Sequence, residues 1–170
     1  MSEELPAFVE VDDFPGEDFV ARLKVYLDGI YDIYLYEVAH GGLTFQGLPV
    51  NCRYQPETFG KHYAFWHMMQ EGPVEDERTA DPERCKRVRW IAWVIRAAEA
   101  GDPRIKVFPE GKRYGEQPWA LWMEEENYVV IVWERNGYYL LKTAYPVTYK
   151  GTKKALKRDW LAHCQRLKNG

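Results

Sequence analysis

The sequence predicts an α+β fold in a single domain spanning residues 1–170, and three stretches carry that prediction. "NYVVIVWERNGYYLLKTAYPV" is a run of β-branched and aromatic residues broken by Asn136-Gly137, the pair that two-residue hairpin turns prefer. "DPERCKRVRWIAWVI" opens on an N-cap aspartate, puts proline at the first helical position and then repeats apolar residues at helical spacing. The stretch from Lys153 to Leu167 is a basic helix that turns Leu156, Trp160, Leu161 and Leu167 toward the sheet. A helical N-terminal part therefore precedes an antiparallel hairpin and a terminal helix. At 170 residues and 20.1 kDa the chain is long enough to bury a core without disulfides or a structural metal.

Taken in order, residues 1–13 read as a flexible acidic arm. Pro15-Gly16-Glu17-Asp18 is a helix start, followed by Phe19, Val20, Leu23, Tyr26 and Leu27 at helical spacing, with Gly29 as the expected stop. "YDIYLYEVA" alternates Ile33 and Leu35 with Tyr34 and Tyr36, which predicts a strand. "HGGLTFQGLPVNCRY" predicts a glycine-rich turn and short extended segments. The second long helix runs from Asp81-Pro82 to Glu99 and stops at Gly101, with Val88, Ile91, Ala92 and Ile95 as its apolar stripe. Counting back four residues from Val88 and Ile91 reaches Arg84 and Arg87, so both should point toward the interior or a cleft. There they need carboxylates such as Asp76 or Glu77, or an anionic ligand. Tyr128 to Arg135 should pair with Tyr138 to Tyr145, and Pro146 closes the second strand. Strand alternation puts Thr143 and Tyr145 on one face and Lys142 on the other.

Charge is segregated along the chain although the net charge is only −3. Glu3, Glu4, Glu10, Asp12, Asp13, Glu17 and Asp18 fall in the first twenty residues without a lysine or arginine among them. One basic run extends from Arg84 to Arg113, and a second from Lys150 to Lys168. Solvated helix faces account for either run alone, whereas two runs converging in the fold favour a polyanion. The acidic start lacks the charge pattern of a signal peptide and no stretch is apolar enough to span a membrane, so the expectation is a cytoplasmic protein with no membrane partner. Cys52, Cys85 and Cys164 are odd in number and widely spaced, which suggests neither a disulfide framework nor a zinc module. Cys85 sits beside cations that would lower a thiol pKa, yet no partner histidine can be named. Phosphate-cradle, nucleophile-elbow and dinucleotide fingerprints are missing, and no histidines have zinc-site spacing.

"FWHMM" after a glycine-rich region, the Arg-rich helix start "DPERCKRVRWIAWVI" and the terminal "YYLLKTAYPV" together resemble the barnase, EndoU, colicin and RelE-like ribonuclease superfamily, in its compact phage- and prophage-associated members. The likeness spans roughly Leu43 to Tyr149. It implies a helical N-terminal part packed on a curved antiparallel sheet, with metal-independent, toxin-like RNA cleavage on one face of that sheet. RNA would be the partner, with a cognate inhibitor protein as a second partner class, and no cofactor or metal would be needed. The site positions so implied are His67, Arg84 or Arg87, and Thr143 or Tyr145. An acidic pI of about 5.9 departs from the basic character of many small ribonucleases.

The chemistry can also be set out from the residues. Cleavage of RNA by its own 2′-hydroxyl needs a base, an acid and cations around the charged phosphorane. His67 has the side chain for either proton transfer, Arg84 and Arg87 would clamp phosphate, and Thr143 and Tyr145 would donate hydrogen bonds. Lys142, Arg89 and Lys150 are candidates for holding the RNA backbone. His62 is the candidate for the opposite proton transfer, but five residues separate it from His67. In a strand the two fall on opposite faces, and in an α-helix they are rotated by about 140°, so His67 is favoured over the pair. The bland alternative makes His67 a partly buried core histidine and the chain a non-catalytic RNA- or protein-binding module.

Overall fold

Asp18 starts the first helix as expected. Its carboxylate accepts a hydrogen bond from the Ala21 N–H at 2.8 Å, and helix α1 runs from Phe19–Ile33 in a computed structural model that describes residues 3–71 and 79–170. The helix does not stop at Gly29. It continues into π-helical turns over Tyr34–Ala39, so "YDIYLYEVA" is helical rather than a strand. Tyr26, Ile30, Tyr34 and Val38 are all buried, and this four-residue stripe outweighs the local alternation of aliphatics with tyrosines. Gly29 has a packing role instead: a Cβ there would stand 2.4 Å from Cε1 of Phe14, whose ring packs against the helix.

The glycine-rich stretch forms β1 (Thr44–Phe45) and β2 (Leu48–Asn51), and "KHYAFWHMM" becomes the short helix α2 (Tyr63–Met69) with His62 at its N-cap. A two-stranded ladder, β3 (Gln70–Glu71) with β4 (Thr79–Ala80), leads to Asp81, which caps helix α3 (Pro82–Cys85) by accepting from the Glu83 N–H at 2.9 Å. The helix expected to run unbroken to Glu99 is interrupted at Lys86-Arg87, where Arg87 takes φ −97°, ψ 19° before α4 (Val88–Glu99). Counting back through the break therefore misplaces the arginines relative to one another. Gly101, at φ +74°, ends α4.

Helix α4 buries the expected stripe and also Trp90, Trp93 and Val94. The N-terminal segment explains the extra burial, because it lies across the outer side of α3 and α4. Trp90 Nε1 donates to the Pro6 carbonyl at 2.8 Å, the Val9 N–H donates to the Lys86 carbonyl at 2.9 Å, and Phe8 packs on Trp90 with ring centres 5.3 Å apart. Tyr26 Oη donates to the Val9 carbonyl at 2.7 Å, so α1 holds the same segment from the other side.

Four further strands complete the sheet: β5 (Lys106–Pro109), β6 (Gln117–Met123), β7 (Tyr128–Glu134) and β8 (Tyr139–Pro146). Their order is β1-β2-β8-β7-β6-β5, antiparallel except between β2 and β8, and the sheet curls into a half-barrel. One face carries Leu121, Met123, Val130, Val132, Leu141 and Ala144 into the core shared with α1 and α4. On the other, Phe108, Ala120, Trp122, Val129 and Ile131 meet Leu156 and Trp160 of the C-terminal helix α5 (Lys150–Asn169). Leu161 and Leu167 do not face the sheet and are exposed; Leu161 is turned about 100° from Trp160.

The β7–β8 hairpin follows its predicted pairing, with the Arg135 N–H donating to the Tyr138 carbonyl across Asn136-Gly137. The ladder carries one irregularity. Ile131 faces Thr143 and Val132 faces Leu141, so Lys142 is a surplus residue at a β-bulge. Leu141 and Ala144 consequently both point into the core, and Lys142 joins Thr143 and Tyr145 on the opposite face, contrary to simple alternation. Among the described residues no helix is long and apolar enough to cross a membrane.

Candidate active site

The part of the sheet face that α5 leaves uncovered is a cleft. A cavity of about 270 Å³ lies there, and its polar wall consists of His67, Glu110, Arg113, Lys142, Thr143 and Tyr145. Pro118, Ile131 and Trp133 form the apolar floor. Each polar group reaches the cavity for a local reason. His67 stands on the last turn of α2, packed beside β8, and its ring stacks on Tyr63 with centres 5.7 Å apart and planes 13° from parallel. The bulge delivers Lys142 next to Thr143, while ordinary alternation delivers Tyr145. Glu110 directly follows β5, and Arg113 lies in the loop before β6, where its N–H donates to the Glu116 carbonyl.

The electrostatics of the cavity are unusual for a surface this polar. Burial raises Glu110 above the ordinary carboxylate range, opposed by the Arg113 charge and reinforced by Asp159. Burial lowers Lys142 from the usual lysine value, and Arg135 and Arg53 push it the same way. Among the described residues neither Lys142 nor Arg113 has a carboxylate within salt-bridge distance; Lys142 instead rests 4.3 Å from the Trp133 ring centre. Arg53 extends the positive rim, its guanidinium 4.4 Å above Tyr63. Lys142 and Arg113, neither in an ion pair among the described residues, leave the cleft suited to an anion beside the buried Glu110.

The remaining predicted residues are placed elsewhere. Arg84 borders a second cavity beside the first, its guanidinium 5.4 Å from the ring centre of Tyr145, which lines both. Arg87 is bound to Glu83, 2.8 Å between Nη1 and Oε2, and is covered by Phe8 and Trp90. Arg89 pairs with Glu37 at 2.9 Å on the far side of the sheet. Lys150 is exposed at the first turn of α5. His62 is buried, with Nδ1 3.1 Å from Tyr34 Oη and its ring stacked on Tyr54 at 4.1 Å; desolvation lowers its pKa. It lines neither cavity and is a structural histidine. Asp76 and Glu77, expected partners of the arginines, lie outside the described residues.

Cys85 and Cys52 offer no nucleophile, since burial pushes Cys85 up to about 12, overriding the Arg84 charge, and Cys52 up to about 11. Among the described residues no cluster of three or more His, Cys, Asp or Glu side chains is arranged to hold a metal ion. Sequence reasoning missed Glu110 and Arg113 as site residues. Their only signal was an acid set inside a basic run at a strand end. No protein-family model, curated protein sequence or solved structure matches the chain.

Proposed function

We propose that the chain is a metal-independent endoribonuclease, the activity that its resemblance to the ribonuclease superfamily implied. One observation carries the reading: a single cavity gathers two groups suited to proton transfer, His67 and Glu110, with two cations, Lys142 and Arg113, that lack carboxylate partners among the described residues. Glu110, in its ionised form, removes the proton from the ribose 2′-hydroxyl. The 2′-oxygen then forms a bond to phosphorus as the bond from phosphorus to the 5′-oxygen breaks. His67, protonated, delivers its proton to that departing 5′-oxygen. Lys142 and Arg113 face the extra negative charge of the phosphorane, and Thr143 and Tyr145 donate hydrogen bonds to its non-bridging oxygens. The products are a 2′,3′-cyclic phosphate and a 5′-hydroxyl. A carboxyl lifted by burial suits this role, because a base works best with a pKa close to the working pH. On this reading the substrate is RNA of the cytoplasm.

The test is incubation of labelled RNA in EDTA with the native protein and with His67→Ala. Native protein should yield 2′,3′-cyclic phosphate ends, and the variant should be slower by a factor of about 100 or more. Failure of the native protein to cut tRNA, mRNA or ribosome-bound RNA would overturn the proposal. Tight RNA binding without cleavage would instead identify a non-catalytic binding module.

A further inference from the structure

Beside the His67 cavity lies a second of about 320 Å³, and Tyr145 forms the wall between them. Arg84 lies over the Tyr145 ring on the far side, opposite Thr148 and Thr152 at the start of α5. The acids of this wall are already engaged. Asp81 accepts the Glu83 N–H at the cap of α3, and Glu83 is held by Lys86 at 3.0 Å and Arg87 at 2.8 Å, whose hydrogen bonds lower its pKa. Arg84 is less well satisfied. Among the described residues the closest carboxylate oxygen to its Nε is that of Asp81 at 3.6 Å, beyond hydrogen-bond range, although its side chain is only 15% exposed. An arginine whose Asp81 ion pair is long, and whose cation opens on a cavity that two threonines also line, is suited to a phosphate.

We propose that the Arg84 cavity binds the phosphodiester adjacent to the scissile one, so that a strand passes over Tyr145 with one phosphate on each side. The proposal rests on the ribonuclease reading of the first cavity and names its substrate class: an oligonucleotide with at least two phosphates, in preference to a dinucleoside monophosphate. It also moves Arg84 from the catalytic set, where the sequence had put it, to strand binding.

Cleavage of a mixture of dinucleoside monophosphates is compared with cleavage of an RNA decamer, for the native protein, Arg84→Gln and Thr152→Glu. For both variants kcat/KM on the decamer should fall about tenfold while that on the dinucleotides holds, and Arg84→Gln should reduce the salt dependence of decamer binding by about 0.7 in log–log slope. Thr152→Glu guards against misfolding, since a carboxylate in the first turn of a helix favours that helix. Equal losses on both substrates, or no loss on either, would overturn the subsite. If the native protein cuts neither substrate, the ribonuclease reading fails by itself. The subsite is then judged by anisotropy of a labelled DNA decamer: weaker binding to Arg84→Gln supports it, and equal decamer binding rejects it.

Discussion

Glu110 carries opposite consequences for activity and for stability. Burial raises its pKa in the folded chain above the unfolded value, so folding favours the protonated carboxyl. The resulting stability is fully present below the unfolded pKa of about 4.3 and is lost as pH rises through the folded value. Glu110→Gln should therefore slow RNA cleavage by a factor of about 100 or more and yet melt at a higher temperature than the native protein at pH 7. That advantage should vanish near pH 4. A native pH–rate profile should place its acid limb above the ordinary carboxylate range, and an acid limb at or below that range would remove Glu110 from the base role. None of this was legible in "FPEGKR", because the groups that meet Glu110 come from distant chain: the Pro118 carbonyl on β6, Tyr145 on β8 and Asp159 on α5. The two histidines were more legible. Their five-residue spacing forbids a shared face, and the structure puts His67 in the cleft and His62 among Tyr31, Tyr34 and Tyr54.

At the scale of elements, signals that depend on adjacent residues were readable and those that depend on distant packing were not. Asn136-Gly137 and the Asp81-Pro82 cap act within a few residues, and both appear where the sequence put them. The strand expected over "YDIYLYEVA" failed because Ile33 and Leu35 are only partly buried, whereas the four-residue stripe through Tyr34 and Val38 meets α4. Gly29 was read as a stop for the same reason: the Phe14 ring that requires it is fifteen residues earlier in the chain. Gly29→Ala supplies a direct check. Alanine in an exposed helix interior is worth about 1 kcal/mol over glycine, but here its Cβ would meet Phe14 Cε1 at 2.4 Å. The variant should lose about 1–3 kcal/mol in urea denaturation, and Phe14→Ala should relieve that loss in the double variant. A single variant as stable as the native protein would show that the contact carries no such constraint.

At the scale of the whole molecule, the acidic N-terminal segment packs against part of the basic run that begins at Arg84. The acidic segment lies on the α3–α4 side, with Asp12 3.9 Å from Arg22, and none of residues 3–13 lines either cavity. Its hydrogen bonds run to Lys86, Trp90, Tyr26 and Arg104 rather than across the cleft. Deleting residues 1–13 should therefore leave RNA affinity at low salt unchanged and cost up to about 1 kcal/mol for each of these bonds. A rise in affinity on deletion would mean that the segment does compete with RNA. The sheet divides its work in a similar way, with one face closed by α1 and α4 and the other half-covered by α5. The bulge at Lys142 is what keeps these two surfaces independent. One surplus residue adds a cation to the cleft while Leu141 and Ala144 stay in the core, so a single-codon deletion there would remove that charge and leave the core face in place. Chain length at this one position, rather than residue identity, then sets whether the cleft carries that charge.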